Sequence, residues 1–410
     1  MFIRSDVEQA FQSCPPVVRI PATLTDVRTS MESGQYREEL YEAIKVALAV
    51  VASLSLKNRD NCLVVVFEGG SGQGKSVVLR MLYPNREGTK KHVVRVDDFT
   101  PASFVSHAAN RTRKALEAID LLPQVKGKAM LTKELAPLFR DEEKQLRKNF
   151  ARLTAVLDGE GYKSHSGTQG GRGYEGRYIF NWIGATTPIP PHTHRVMAQL
   201  GNRILFYEVA GEEPTEEELM DFAENYETND AIEECKGAVN DFIEKHFAKY
   251  PAESLDPESI YIPEEIVRHL VRYSKLIAKG RVEIFGENGV YEAATPEGPQ
   301  RVILLLQMLA RGLALADQRN EVAKEDLRTI RHVAFSSIPG KRRELLRALL
   351  AAGGRMKSGD VSEALGVTKP TALARMHELA ATGICEFVPG CEKTPKAAEL
   401  YLAKDFNWLL

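Results

Sequence analysis

Residues 69–76 read G-G-S-G-Q-G-K-S, and that order of glycines, lysine and hydroxyl suits one task, holding a chain of phosphates. Glycines at Gly69, Gly72 and Gly74 admit backbone conformations that a Cβ forbids, so successive N–H groups can turn toward one anion. Gly70, Ser71 and Gln73 complete the loop. Lys75 is placed to reach the β- and γ-phosphates, and the Ser76 hydroxyl to ligate Mg²⁺. The preceding CLVVVF reads as a buried strand, and the following SVVLRMLY as a helix whose first turn faces the anion. A glycine turn that binds nothing is the plain alternative, but it leaves this strand and helix unexplained. The pattern implies ATP or GTP.

Hydrolysis or transfer of a phosphate needs a carboxylate, and two strands offer one. HVVRVDDF ends in Asp97 and Asp98; small-molecule kinases of the uridine-kinase type have a similar strand, whose Asp acts on the acceptor hydroxyl. GKAMLTKEL is an apolar run ending at Thr132, Lys133 and Glu134, where the last acid would orient and polarise water. Thr132 stands where a first acid is expected, so Mg²⁺ would rest on Ser76 and water. Glu134 could instead cap a helix, and the two aspartates could simply end their strand.

The elements that must position these groups follow from composition and periodicity. With 410 residues, 43% apolar, 27% charged and a formal net charge of −2, the chain has ordinary globular composition and no global attraction for nucleic acid. Its five cysteines are scattered without a CxxC, which argues against a disulfide framework or zinc site and suits a cytoplasmic location. His192 and His194 read as solvated loop residues. No apolar run is long enough for a membrane span, and the N-terminus lacks the order of a secretion signal.

Four segments are expected: an N-terminal helical adaptor at 1–56, a nucleotide domain at 57–210, a helical lid at 211–337 and a C-terminal domain at 338–410. The adaptor should hold a helix at 37–55 with Leu40, Ile44, Leu48 and Val51 inward. Thr215 and Glu218 form a capping box after an acidic break. RVILLLQMLARGLALA is apolar nearly all round and must be buried.

YIFNWIGATTP is a further apolar strand, ending at Thr186 and Thr187, and Arg203 precedes another at 204–207. Loop, acid-bearing strand, polar-tipped strand, arginine and helical lid follow the order of AAA+ ATPases. Among these the chain most resembles MCM-type replicative helicases and their relatives in mobile elements. LGNRILFYEV is similar to their arginine-finger segment and GATTPI to their sensor-1 strand, although Thr stands here for Asn. PEGPQRVILLLQMLARGLALADQRNEVAKEDLRTIRHVA resembles their lid, with Arg301 opening the long helix. The likeness covers roughly residues 57–335 with gaps; the family's large N-terminal nucleic-acid-binding domain has no counterpart. It implies that Thr187 acts as the sensor, and that Arg203 and Arg301 reach the γ-phosphate of a neighbouring copy in a ring, expected to be a hexamer. A surface strand-opening Arg203 and a locally salt-bridged Arg301 are the simpler alternatives.

LDGEGYKSHSGTQGGRGYEGRY, ahead of the sensor strand, combines glycines with Lys163, His165, Arg172, Arg177 and three tyrosines. AAA+ helicases place a pore hairpin here, where cations would meet phosphates and a tyrosine could stack on a base. A mobile exposed loop is the alternative. From Lys341 the pattern is helix, helix-turn-helix and two strands, the order of a winged helix. Lys369, Thr371 and Arg375, with Thr368, would face DNA, and Lys341, Arg342 and Arg343 would contact phosphate. The fold expected is therefore an α/β P-loop NTPase of AAA+ type, with a parallel sheet, a helical lid and a C-terminal winged helix. The activity expected is ATP hydrolysis with Mg²⁺ on DNA, as a helicase or replication initiator. The alternatives are an ATP-switched loader or regulator, and a kinase using Asp97 or Asp98.

Overall fold

A computed structural model of the chain describes residues 23–34, 36–57, 59–106, 112–166, 170–209, 215–217, 220, 223, 229–287, 290–390 and 397–410. Cys14, Cys391 and the Glu218 of the expected capping box lie outside them.

Five short apolar strands build one parallel sheet: β1 (Val64–Glu68), β2 (Val93–Arg95), β3 (Ala129–Thr132), β6 (Asn181–Thr186) and β7 (Ile204–Glu208). Their order is β2-β3-β6-β1-β7. Val64 pairs with Trp182 on one side and Ile204 on the other, so β6, β1 and the edge strand β7 start in step and their carboxyl ends lie together. Alternate residues point to opposite faces, and both faces are buried. Val65, Phe67, Ile183 and Leu205 join one core, and Val64, Val66, Trp182 and Phe206 the other. The result is a mixed α/β protein whose parallel sheet is flanked by helices.

The first core also takes α1 (Leu24–Ser33) and α2 (Glu38–Ala52), and α3 (Lys75–Met81) follows the glycine loop. On the second face lie α4 (Glu143–Leu157), the antiparallel hairpin β4 (Gly161–Ser166) and β5 (Gly170–Glu175), and α5 (Pro191–Leu200). Back on the first face come α6 (Asn229–Lys249), α7 (Glu264–Gly280), α8 (Gln300–Ala316) and α9 (Asp326–Ser336), while the largely exposed hairpin β8 (Ile284–Glu287) and β9 (Val290–Ala293) connects α7 to α8. The expected inward positions Leu40, Ile44, Leu48 and Val51 are all buried on α2. This helix is enclosed on almost every side, because α8 crosses it closely: a Cβ added at Gly312 would stand 2.3 Å from the Ala49 carbonyl oxygen. Asn181 ties the start of β6 to the end of α2, donating to Val50 O and Ser53 Oγ and accepting from Arg59 and Leu63 N.

The chain ends in α10 (Gly340–Ala351), β10 (Arg355–Lys357), α11 (Ser358–Ala364), α12 (Lys369–Ala381), β11 (Cys385–Val388) and β12 (Glu399–Leu402). Its strands form an antiparallel sheet ordered β10-β12-β11. β10 is only three residues long and leaves no alternation to read. Cys62, Cys235 and Cys385 are free and buried. Among the described residues no helix is long and apolar enough to cross a membrane. His192 and His194 lie on α5 rather than in a solvated loop, because Pro190 and Pro191 start a helix there. His194 packs toward Phe206, and burial beside Arg281, Arg342 and Arg343 lowers its pKa to about 3.

Candidate functional site

The glycine loop leaves the carboxyl end of β1, at the edge of a parallel sheet where ligands gather. Gly72 (φ 83°) and Gly74 (φ 86°) both take left-handed backbone conformations. At Gly69 an added Cβ would stand 2.6 Å from Gln73 Oε1 and 2.7 Å from Val209 O, so only glycine passes there. Lys75 is buried and donates to Gly70 O at 2.5 Å, while Gly70 N donates to Gln73 Oε1 at 2.5 Å. The loop thus closes on its own polar groups, and a phosphate would take over the Lys75 ammonium and the Gly70 N–H. Burial lowers the Lys75 pKa, opposed by the charge of Glu134. Ser71, Gly72 and Ser76 are exposed.

Ser76, at the start of α3, and Glu134 offer oxygen ligands of the kind Mg²⁺ takes. Thr132 is not free for a metal, since its Oγ1 accepts from Trp182 Nε1 at 3.0 Å inside the sheet. Glu134 is exposed on the loop side of β3, and its Oε1 accepts from Ala136 N at 2.8 Å. This is the capping role weighed for it above, and it leaves the second oxygen available. Asp97 lies beyond the edge strand β2, three strands from β1 or about 14 Å. It pairs with Arg95 at 2.5 Å.

Thr186 is paired beside Glu68, and Thr187 follows it with a buried Oγ1 that has no hydrogen-bond partner among the described residues. The hydroxyl therefore keeps its hydrogen-bonding capacity at the edge beside the loop.

Arg203 sits at the other edge, since β7 begins opposite the start of β1. It cannot meet the loop of its own chain. Its guanidinium makes a bidentate pair with Asp158 (2.9 and 3.0 Å) and caps α5 through Leu200 O and Gly201 O. A Cβ on Gly201 would stand 2.8 Å from Arg203 Nη1 and 3.5 Å from Arg301 Nη1, so both arginines converge there. Arg301 has no hydrogen-bond or ion-pair partner among the described residues.

The glycine-rich segment forms the β4–β5 hairpin, though its tip at 167–169 lies outside the described residues. Tyrosines fasten it to the core rather than stand free: Tyr174 is buried and donates to Asp120 Oδ2 at 2.7 Å. Lys163 pairs with Glu175 and Arg177 with Glu253, while Arg172 is half-buried opposite Ser164.

In the C-terminal unit, Ala372, Met376 and Leu379 turn α12 inward, and Lys369, Pro370 and Thr371 stay exposed at its start. Arg375, expected to face DNA, reaches back to Glu344 at 3.3 Å and is largely covered. Tyr291 of the β8–β9 hairpin stacks on His377, which in turn lies against Phe387. Arg342 and Arg343 are likewise not surface phosphate contacts. Arg342 donates to Gly280 O, Val282 O and Glu378. Arg343 joins Glu68 and Glu208 at the carboxyl ends of β1 and β7. Of the expected trio only Lys341 is exposed.

This last network was missed from the sequence, although Glu68 ending an apolar strand and the Arg343–Arg347 spacing of one turn were visible. It borders a cavity of about 620 Å³ lined by Glu39, Glu42, Tyr207, Arg328, His332 and Arg347, among others. Burial pushes the Glu208 carboxyl up, but Arg343 and Arg347 outweigh it and hold the pKa below the usual value. Compared with known proteins, the chain matches no family model and no curated sequence.

Proposed function

We propose that this chain is an ATP-hydrolysing protein of AAA+ type that acts on DNA from a ring-like homo-oligomer. ATP is held by the backbone of Gly69–Ser76 and by Lys75. Ser76 would hold Mg²⁺, which when bound would neutralise charge on the phosphates. Glu134 orients the attacking water, and Thr187 supplies a hydroxyl beside it. Arg203 and Arg301 serve the loop of the next copy, after Arg203 leaves Asp158. The C-terminal unit has the element order of a winged helix and offers Lys369 and Thr371 to the nucleic acid.

The observation that carries this reading is the strand order. β6, with its orphaned Thr187 hydroxyl, stands between the loop strand and the strand leading to Glu134. The same order sets Asp97 farthest from the loop and speaks against the kinase alternative. An ATP-switched loader without unwinding keeps its place for a specific reason: Lys163, Arg177 and Arg375 are all ion-paired.

The test is ATP turnover with and without DNA, joined to sizing with and without a non-hydrolysable ATP analogue. DNA-stimulated turnover and analogue-driven assembly are expected. A chain that stays monomeric while hydrolysing at full rate would sink the shared-site reading. Strand displacement then separates helicase from loader.

A further inference from the structure

Glu68 is the residue just before the phosphate loop, and it is buried. Its Oε1 accepts from Ile189 N at 3.0 Å. Its Oε2 lies 3.3 and 3.4 Å from Nη1 and Nη2 of Arg343, which is also buried. Arg343 comes from α10, more than 270 residues later, at the entry to the C-terminal unit. It also donates to Ser336 O at 2.9 Å and to Glu208 Oε1 at 2.7 Å, and Arg347 meets Glu208 Oε2 at 2.6 Å. Two carboxylates at the strand tips are therefore balanced by two guanidiniums from one helix.

A carboxylate in this place is a liability for any site that must take a polyphosphate. At an effective dielectric constant near 20, two like charges about 10 Å apart repel enough to cost roughly tenfold in an equilibrium constant. Arg343 shares the docking of the C-terminal unit with other residues. Arg342, its neighbour, already binds Gly280 O and Val282 O at 3.0 and 2.6 Å and Glu378 at 2.8 Å. Among the described residues Arg343 does not reach a full set of acceptors, since its Nε is buried without one. What it does bring is a positive charge beside the only acid in the sequence of the loop and its strand (62–76).

We propose that Arg343 is a positioning residue for nucleotide binding: by neutralising Glu68 it allows a polyphosphate to occupy the adjacent loop, and so makes the seating of the C-terminal unit a condition of that occupancy. The inference rests on the reading of residues 69–76 as a nucleotide site. Nucleotide affinity and the seating of α10 then depend on each other in both directions.

The experiment titrates the full-length chain with ATP, ADP and AMP, each with Mg²⁺, by calorimetry. Arg343→Met should weaken ATP binding by roughly tenfold, with smaller losses for ADP and AMP in order of charge. Adding Glu68→Gln to that variant should return ATP affinity to within about threefold of the wild type, because the unpaired charge is gone. If Arg343→Met does not fold, Glu68→Gln alone carries the test, since it leaves Arg343 as surplus positive charge and should tighten ATP binding. Equal losses for all three nucleotides, or no rescue in the double variant, would overturn the proposal, as would unchanged or weaker ATP binding by Glu68→Gln. Failure of the wild type to bind ATP would instead remove the nucleotide reading itself.

Discussion

Trp182 donates its indole N–H to the Thr132 hydroxyl at 3.0 Å across neighbouring strands of the sheet. The residue that stands in place of a metal-holding acid is thus a structural acceptor. Thr132→Val should leave the Mg²⁺ requirement of ATP hydrolysis unchanged while costing about 1–3 kcal/mol of stability, because a buried donor loses its partner. Ser76→Ala should do the reverse, raising the Mg²⁺ needed with little effect on stability. Mg²⁺ titration of turnover and urea unfolding read the two effects separately.

Glu134 and Asp97 are the rival acids, and their positions predict opposite outcomes. Glu134→Gln should cut turnover by about 10²–10⁴-fold while ATP still binds, the range for loss of a general base. Asp97→Asn should change little beyond an exposed ion pair with Arg95, worth about 1 kcal/mol or less. Reversal of the two results would transfer the chemistry to the β2 edge.

Arg203 faces away from its own loop, so complementation can reveal where it works. Arg203→Ala and Lys75→Ala proteins should each be inactive alone. Mixed, they create junctions with an intact loop from one and an intact guanidinium from the other, and part of the activity should return. If mixing restores nothing, Arg203 acts only through its pair with Asp158.

His246 and His194 predict the acid limb of stability. Burial lowers His246 to about 4, with Ser55 Oγ 3.0 Å from its Nε2, and lowers His194 to about 3. Above pH ~6.5 both are neutral folded or unfolded and cost nothing. As pH falls below that value the unfolded chain takes up protons that the folded chain refuses, so stability drops by up to about 1.4 kcal/mol per pH unit for each histidine. The loss continues toward pH 4. Urea midpoints between pH 7.5 and 4.5 should fall along this slope, and His246→Gln should make it shallower.

The glycine loop, the strand–loop–helix around it and the apolar face of α2 were legible because their spacing is set by local geometry. The hairpin at 161–175 was less so, because glycines remove the alternation that marks a strand. Its tyrosines read as free stackers, since a sequence does not say that Tyr174 has an acid waiting at Asp120. The partners of Arg342, Arg343 and Arg375 were not legible for one reason. A basic residue on a short helix looks solvent-facing until the fold brings Glu378, Glu68 or Glu344 to it from elsewhere in the chain.

Gly312 lets α8 touch the backbone of α2 at Ala49. No side chain separates the two backbones there. Leu40, at the other end of α2, fills the space over Gly74, 2.6 Å from where a Cβ would stand. The one helix α2 therefore packs at one end against α8 and at the other over the glycine loop, so the space above that loop is set by how the helical half of the molecule is packed.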